Sequence, residues 1–226
     1  MVDFCEDEVV KARQFSEEEL VKVVVRSCGV PRQFASLDLA SMHDGGDPVY
    51  RTTLDRVESI AEELSTKTVS RRKPVFLHLQ GTFGSGKTRA STWLIRNAYL
   101  GMSRTQGGLA RSENLPFFIS AAQLVELRFG RNLQEDEEVE DERLARQRRL
   151  FSSRFLVIDD LGRLVGFRGE ERYLERVIEE RWNDCLSTVL TSSSKNEAFA
   201  ERFQDYLKYF ETLVFARESQ RRSAIG

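Results

Sequence analysis

The eight residues Gly81-Thr82-Phe83-Gly84-Ser85-Gly86-Lys87-Thr88 constrain this chain more than any other segment. They match the spacing G-x-x-x-x-G-K-(S/T), whose parts act together on a bound phosphate. Glycines let consecutive backbone N–H groups turn inward with no Cβ in the way. A helix that starts at the end of the loop adds unpaired N–H groups and a positive dipole end, both favourable to an anion. Lys87 is then placed to reach the outer phosphates, and the Thr88 hydroxyl to ligate Mg²⁺. The flanks agree with this. Val75-Phe76-Leu77-His78-Leu79 reads as a strand entering the loop, and Arg89 to Leu100 as a helix leaving it.

A strand–loop–helix unit of this kind belongs in a mainly parallel sheet covered by helices on both faces. The remaining sequence supplies the parts. Short apolar runs predict strands at about 74–79, 116–119, 154–158, 187–191 and 212–215, with helices near 87–100, 120–130, 170–184 and 196–210. Upstream, Ser16 with Glu19 fits a capping box that opens a helix over Ser16 to Cys28, ended by Gly29 and Pro31. Asp47 and Pro48 open a second helix with Leu54, Val57, Ile60, Ala61 and Leu64 on one face. The expected division is therefore an N-terminal helix and linker over 1–45, followed by one nucleotide-binding domain over 46–226. Residues 131–149 form a charged insertion, acidic from Glu135 to Glu142 and then basic at Arg143, Arg146, Arg148 and Arg149. It reads first as a solvated helical face.

A second chemical site lies in Arg154-Phe155-Leu156-Val157-Ile158-Asp159-Asp160-Leu161-Gly162, an apolar strand ending in two carboxylates. Phosphoryl chemistry needs one acid to hold Mg²⁺ and a neighbour to orient the attacking water. Asp159 is assigned to the metal and Asp160 to the water. The strand Ser187-Thr188-Val189-Leu190-Thr191-Ser192-Ser193-Ser194 runs into hydroxyls, of which Ser193 or Ser192 is a candidate sensor of the outer phosphate.

Composition narrows the partners. The formal net charge is -2, so any nucleic-acid contact must be local; Arg71-Arg72-Lys73 and Arg143 to Arg154 are candidates for phosphates, and Phe129 or Phe151 for base stacking. Cys5, Cys28 and Cys185 form no CxxC pair, and with only His43 and His78 no zinc-ligand spacing can be assembled. The acidic N-terminus lacks signal-peptide order, and no run is long and apolar enough to span a bilayer, so a cytoplasmic protein is expected. Trp93 and Trp182 read as core, and His78 as a satisfied core histidine.

Leu156-Val157-Ile158-Asp159-Asp160-Leu161-Gly162 resembles the second acidic motif of the AAA+ helicase loaders and their transposition relatives (DnaC/IstB-like). Three further segments are similar to that family. They are Cys28 to Asp38, its entry segment near the adenine; Val177 to Trp182, its helix before the sensor strand; and Leu190-Thr191-Ser192-Ser193 with Glu201-Arg202-Phe203 following. The resemblance spans roughly 28–210. It implies an AAA+ P-loop NTPase in three layers with a five-stranded, mainly parallel sheet; as a departure from the family, little or no C-terminal lid is expected here. It also implies ATP and Mg²⁺ as ligands, with Gly81 through Arg89 and Phe34 contacting the nucleotide. Lys87, Asp160, Ser193 and Arg202 would then be the catalytic set. Where the family carries asparagine this chain has Ser193, and its usual arginine finger is matched only by Arg202; Arg217, Arg221 and Arg222 stand where lid contacts are expected.

The resemblance implies an ATPase that couples ATP binding to assembling a partner, such as a replicative helicase, on single-stranded DNA, with homo-oligomerisation in view. Two alternatives keep the fold: a mobile-element ATPase that marks target DNA and recruits a recombinase, and a nucleotide-gated adaptor with little turnover.

Overall fold

The structure is a computed structural model that describes residues 16–36, 39, 42, 47–66, 73–105, 114–129, 137–164, 168–193 and 205–216. Arg71, Arg72, Arg202, Arg217, Arg221, Arg222 and most of the helix expected over 196–210 lie outside the described residues.

Among the described residues five strands form one sheet in the order β2-β3-β4-β1-β5: β1 (Phe76–Gly81), β2 (Phe117–Ser120), β3 (Phe155–Asp159), β4 (Ser187–Ser193) and β5 (Glu211–Phe215). Every pairing is parallel. Each strand lies within two residues of its sequence-based position, because apolar β-branched and aromatic residues cluster where the chain is buried on both faces. β3 is the extreme case, buried at all five positions.

Helices cover both faces. On one side lie α1 (Glu17–Cys28), α2 (Arg32–Ala35), α3 (Pro48–Thr66) and α4 (Lys87–Thr105), sharing a core with Leu77, Leu79, Val157, Val189, Leu213 and Phe215. On the other lie α5 (Ala121–Phe129), α6 (Glu137–Ser152) and α7 (Arg168–Asn183), packed on Phe117, Ile119, Leu156, Ile158 and Leu190. α1 starts as its sequence indicates. The Ser16 hydroxyl accepts from the Glu19 amide at 3.3 Å, while the Ser16 amide donates to the Glu19 carboxylate at 3.0 Å. Its buried Leu20, Val24 and Cys28 enter the same core as the strands.

The charged block is helical over Glu137–Ser152, and its basic residues are not all surface. Arg143 donates to Leu127 O at 2.9 Å. Arg149 donates to Ser27 O at 2.6 Å and Pro116 O at 3.1 Å, with its guanidinium 4.4 Å from the Phe117 ring centre. Charge alone cannot distinguish a solvated arginine from one folded back onto orphan carbonyls at helix ends. Trp182 also departs from expectation. It is 36% exposed, stacked between Phe76 and Tyr209 with ring centres at 4.4 and 4.7 Å.

Candidate functional site

In a parallel sheet the loops after the strands gather at one end, and ligands bind where the strand order reverses. Here β4 is inserted between β1 and β3, so the loop after β1 and the tip of β3 flank the tip of β4. The three tips open into a cavity of about 570 Å³.

One wall is the loop Gly81–Thr88. Gly86 has φ +105°, a conformation that L side chains rarely adopt, and a Cβ there would collide with Met42 Cε and lie 3.0 Å from Tyr50 Oη. A Cβ on Gly81 would come within 2.5 Å of Phe215 O. Gly86 is thus required by its dihedral, and Gly81 by the close approach of the Phe215 backbone. α4 begins at Lys87, so its first turn, Lys87, Thr88 and Arg89, which carries unpaired N–H groups, lines the cavity. Phe83, at the loop crest, is 65% exposed. Tyr50, buried on α3, donates its hydroxyl to Ser85 O at 3.0 Å and stacks edge-on against Phe215. Met42, Gln33 and Phe34 continue this wall. Tyr50, Met42 and Gln33 are site residues the sequence reading missed. Tyr50 extends the apolar stripe of α3 by one turn, which is the signal that would have found it.

Lys87 Nζ donates to Gly81 O at 2.8 Å and Thr82 O at 2.7 Å, so the ammonium is folded onto its own loop. Burial lowers its pKa from the ordinary value, opposed by the charges of Asp159 and Asp160. Across the cavity the Thr88 hydroxyl donates to the Asp159 carboxylate, 3.1 and 3.0 Å from its two oxygens. Burial raises the Asp159 pKa, against hydrogen bonds from Thr191 and Thr88 that favour the charged form.

Asp160 follows with φ 61°, left-handed for a residue that is not glycine. That conformation costs roughly 1 kcal/mol and persists only where surroundings enforce it. Here the Asp160 amide donates to Thr191 Oγ1 at 2.9 Å, and the same hydroxyl donates to Asp159 Oδ1 at 2.6 Å.

Lys87, Thr88, Arg89, Asp159, Asp160, Phe34, Phe83, Gly84, Ser85 and Gly86 therefore line one cavity, joined by Thr191. Gly81 and Thr82 stand behind as carbonyl acceptors for Lys87. Ser193 ends β4 beside Gly81 in register, on the same strand face as Thr191 but outside the cavity lining. Ser192 faces the opposite side, buried and sharing a 2.7 Å hydrogen bond with His78 Nε2, so it is not a cavity residue.

No protein-family model matches the chain, and no curated protein matches it. Solved structures do match. DnaI superposes with a TM-score of 0.55 at 16% identity, over 83% of this chain and 95% of its own. The DnaC helicase loader gives 0.54 at 16% identity, over 81% and 99%. The fold is that of the AAA+ P-loop NTPases of DnaC/IstB-like type. A third AAA+ match, AMPPCP-bound DnaA from Aquifex aeolicus, gives 0.51 at 14% identity over 75% of this chain and 47% of its own. No helix among the described residues is long and apolar enough to cross a membrane.

Proposed function

We propose that this chain is a Mg·ATP-dependent ATPase of DNA replication that couples nucleotide binding to assembling a protein partner, a replicative helicase, on single-stranded DNA. The observation that carries the nucleotide reading is the convergence of Lys87, Thr88, Asp159 and Asp160 on one cavity whose glycines, Gly84 and Gly86, hold left-handed φ values that L side chains rarely adopt. The replication reading rests on the similarity to DnaI, to the DnaC helicase loader and to DnaA.

The residues present fit both ligands. The loop is packed so closely that a Cβ on Gly81 would meet Phe215 O and one on Gly86 would meet Met42 and Tyr50, and the helix start adds N–H donors for phosphate. Thr88 and Asp159 offer only oxygen donors, the hard set that Mg²⁺ prefers. Once bound there, Mg²⁺ would neutralise charge developing on phosphate oxygens. Lys87 would exchange the carbonyls of Gly81 and Thr82 for phosphate oxygens, a swap that keeps its hydrogen bonds and gains charge complementarity. Asp160, fixed at the tip of β3, would orient the attacking water and accept its proton. Phe34, Met42 and Gln33 would hold the base against the helical wall.

One observation favours a second reading, a nucleotide-gated adaptor with little turnover. Among the described residues Arg89 is the arginine that lines the cavity, and it sits beside the loop on its own helix. A finger from a second subunit would then set the turnover rate.

Binding of a fluorescent ATP analogue and ATP turnover, measured with and without single-stranded DNA, test the proposal. The wild-type chain should bind with Mg²⁺, Lys87→Ala should lose about a hundredfold in affinity, and Asp160→Ala should bind but lose turnover. A wild-type chain that binds no ATP would sink the nucleotide reading. Binding without turnover, unchanged by DNA, would leave the adaptor.

A further inference from the structure

β4 carries a hydroxyl that the phosphate loop and the two acids do not account for. Thr191 is buried, 1% exposed, at the tip of the strand lying between β1 and β3. Its single hydroxyl is used twice. The proton goes to Asp159 Oδ1 at 2.6 Å, and a lone pair accepts the Asp160 amide at 2.9 Å. The other partner of Asp159 is the Thr88 hydroxyl, donated from the first turn of α4. A chain of hydrogen bonds thus runs from Thr88 through Asp159 and Thr191 to the backbone of Asp160. At its end Asp160 holds a left-handed φ of 61°.

We propose that Thr191 is a positioning residue that makes the orientation of Asp160 depend on the state of Asp159. The inference rests on the nucleotide reading of the cavity and deepens it. A hydroxyl can donate only one hydrogen, and the Thr191 proton is committed to Asp159. Any rotation of that carboxylate must therefore pull on Thr191, and through it on the amide that keeps Asp160 left-handed. The sites Ser192 and Ser193 cannot substitute. Ser192 faces the other side of the sheet, where it meets His78, and Ser193 lies one pleat beyond the acids.

The test uses the full chain with Thr191→Val, which keeps shape and β-branching but removes the hydroxyl, and Thr191→Ser, which keeps the hydroxyl. The readout is the ratio of Kd for a fluorescent ATP analogue without and with Mg²⁺. In the wild type this ratio should exceed ten. In Thr191→Val it should fall roughly tenfold toward one, the change expected when a hydrogen bond to a carboxylate is lost. Thr191→Ser should recover most of it. If the valine chain fails to fold, Thr191→Cys, with a weak donor of similar size, takes its place and should give a ratio between that of serine and one. A valine ratio equal to the wild type overturns the proposal, as does a serine chain as impaired as valine, or a wild-type ratio of one. A wild-type chain that binds no nucleotide under either condition is a separate result: it removes the nucleotide reading itself, and this inference with it.

Discussion

Lys87 and Arg181 are both cations drawn out of water and held by neutral oxygens, yet they sit in opposite kinds of environment. Lys87 is bound by two carbonyls of its own loop, Gly81 and Thr82, beside an open cavity. Arg181 is 0% exposed and held from several elements: Leu150 O at 2.9 Å, Ser153 Oγ at 3.3 Å, Thr188 Oγ1 at 2.9 Å and Ser187 O at 2.6 Å. Burial lowers its pKa to about 9, which leaves it charged at neutral pH. One cation can change partners without disturbing the fold. The other ties the end of α6 to α7 and the start of β4, and so fixes where β4 enters the sheet. Burial and neutral partners alone do not mark a functional cation; what separates the two is whether the acceptors belong to a loop facing a cavity.

The sharpest way to break that contrast is to remove each charge and measure folding. Arg181→Met fills similar volume but strands the carbonyls of Leu150 and Ser187, so unfolding stability should drop by about 4 kcal/mol. Lys87→Ala should change stability by less than about 1 kcal/mol, since the exposed side of its cradle lets water replace the ammonium. Chemical denaturation of both variants beside wild type checks this. Equal losses would mean that Lys87 also holds the fold, and the contrast would fail.

Much of the site was legible because it is local. Eight contiguous residues encode the loop, and an apolar run ending in Asp159-Asp160 encodes the second tip. The strands were legible for the same reason, and the capping box of Ser16 and Glu19 fixed the start of α1. What escaped depends on strand order. Nothing in the residues of β4 says that it lies between β1 and β3, so Thr191 looked like any strand threonine while Ser192 and Ser193 drew attention as the last hydroxyls. Alternation along the strand then sends Ser192 to His78 and Thr191 to the acids. Arg149 and Arg181 were hidden similarly: each satisfies carbonyls brought close only by folding.

His78 sharpens the comparison from another side, as a basic group buried by surrendering its charge. It is 3% exposed, and burial lowers its pKa from 6.5 to about 4. Between those values the unfolded chain binds the proton and the folded chain does not, so stability rises with pH across that window. The full effect, complete below pH 4, is about 3 kcal/mol for a shift of this size. His78→Gln, which can still meet Ser192, should flatten the stability profile between pH 6.5 and 4. An unchanged slope would assign the acid sensitivity to other groups.

The smallest effect belongs to a pair whose geometry alone looks strong. Arg56 on α3 meets Glu211 on β5 with two hydrogen bonds of 2.7 Å, joining elements 155 residues apart. Both side chains are over 40% exposed, 44% and 41%. Water screens the attraction and ordering two long side chains costs entropy, so Glu211→Gln should lower stability by only about 0.5 kcal/mol. The loss should shrink further in high salt, which screens exposed charges. The neighbouring bond from Thr53 Oγ1 to Val214 O at 2.9 Å offers the internal control, because α3 and β5 remain joined through it when the ion pair is gone. A loss as large as that of Arg181→Met would show that exposure is the wrong criterion. The distinction between exchangeable and locked cations would then have to rest on long-range connectivity instead.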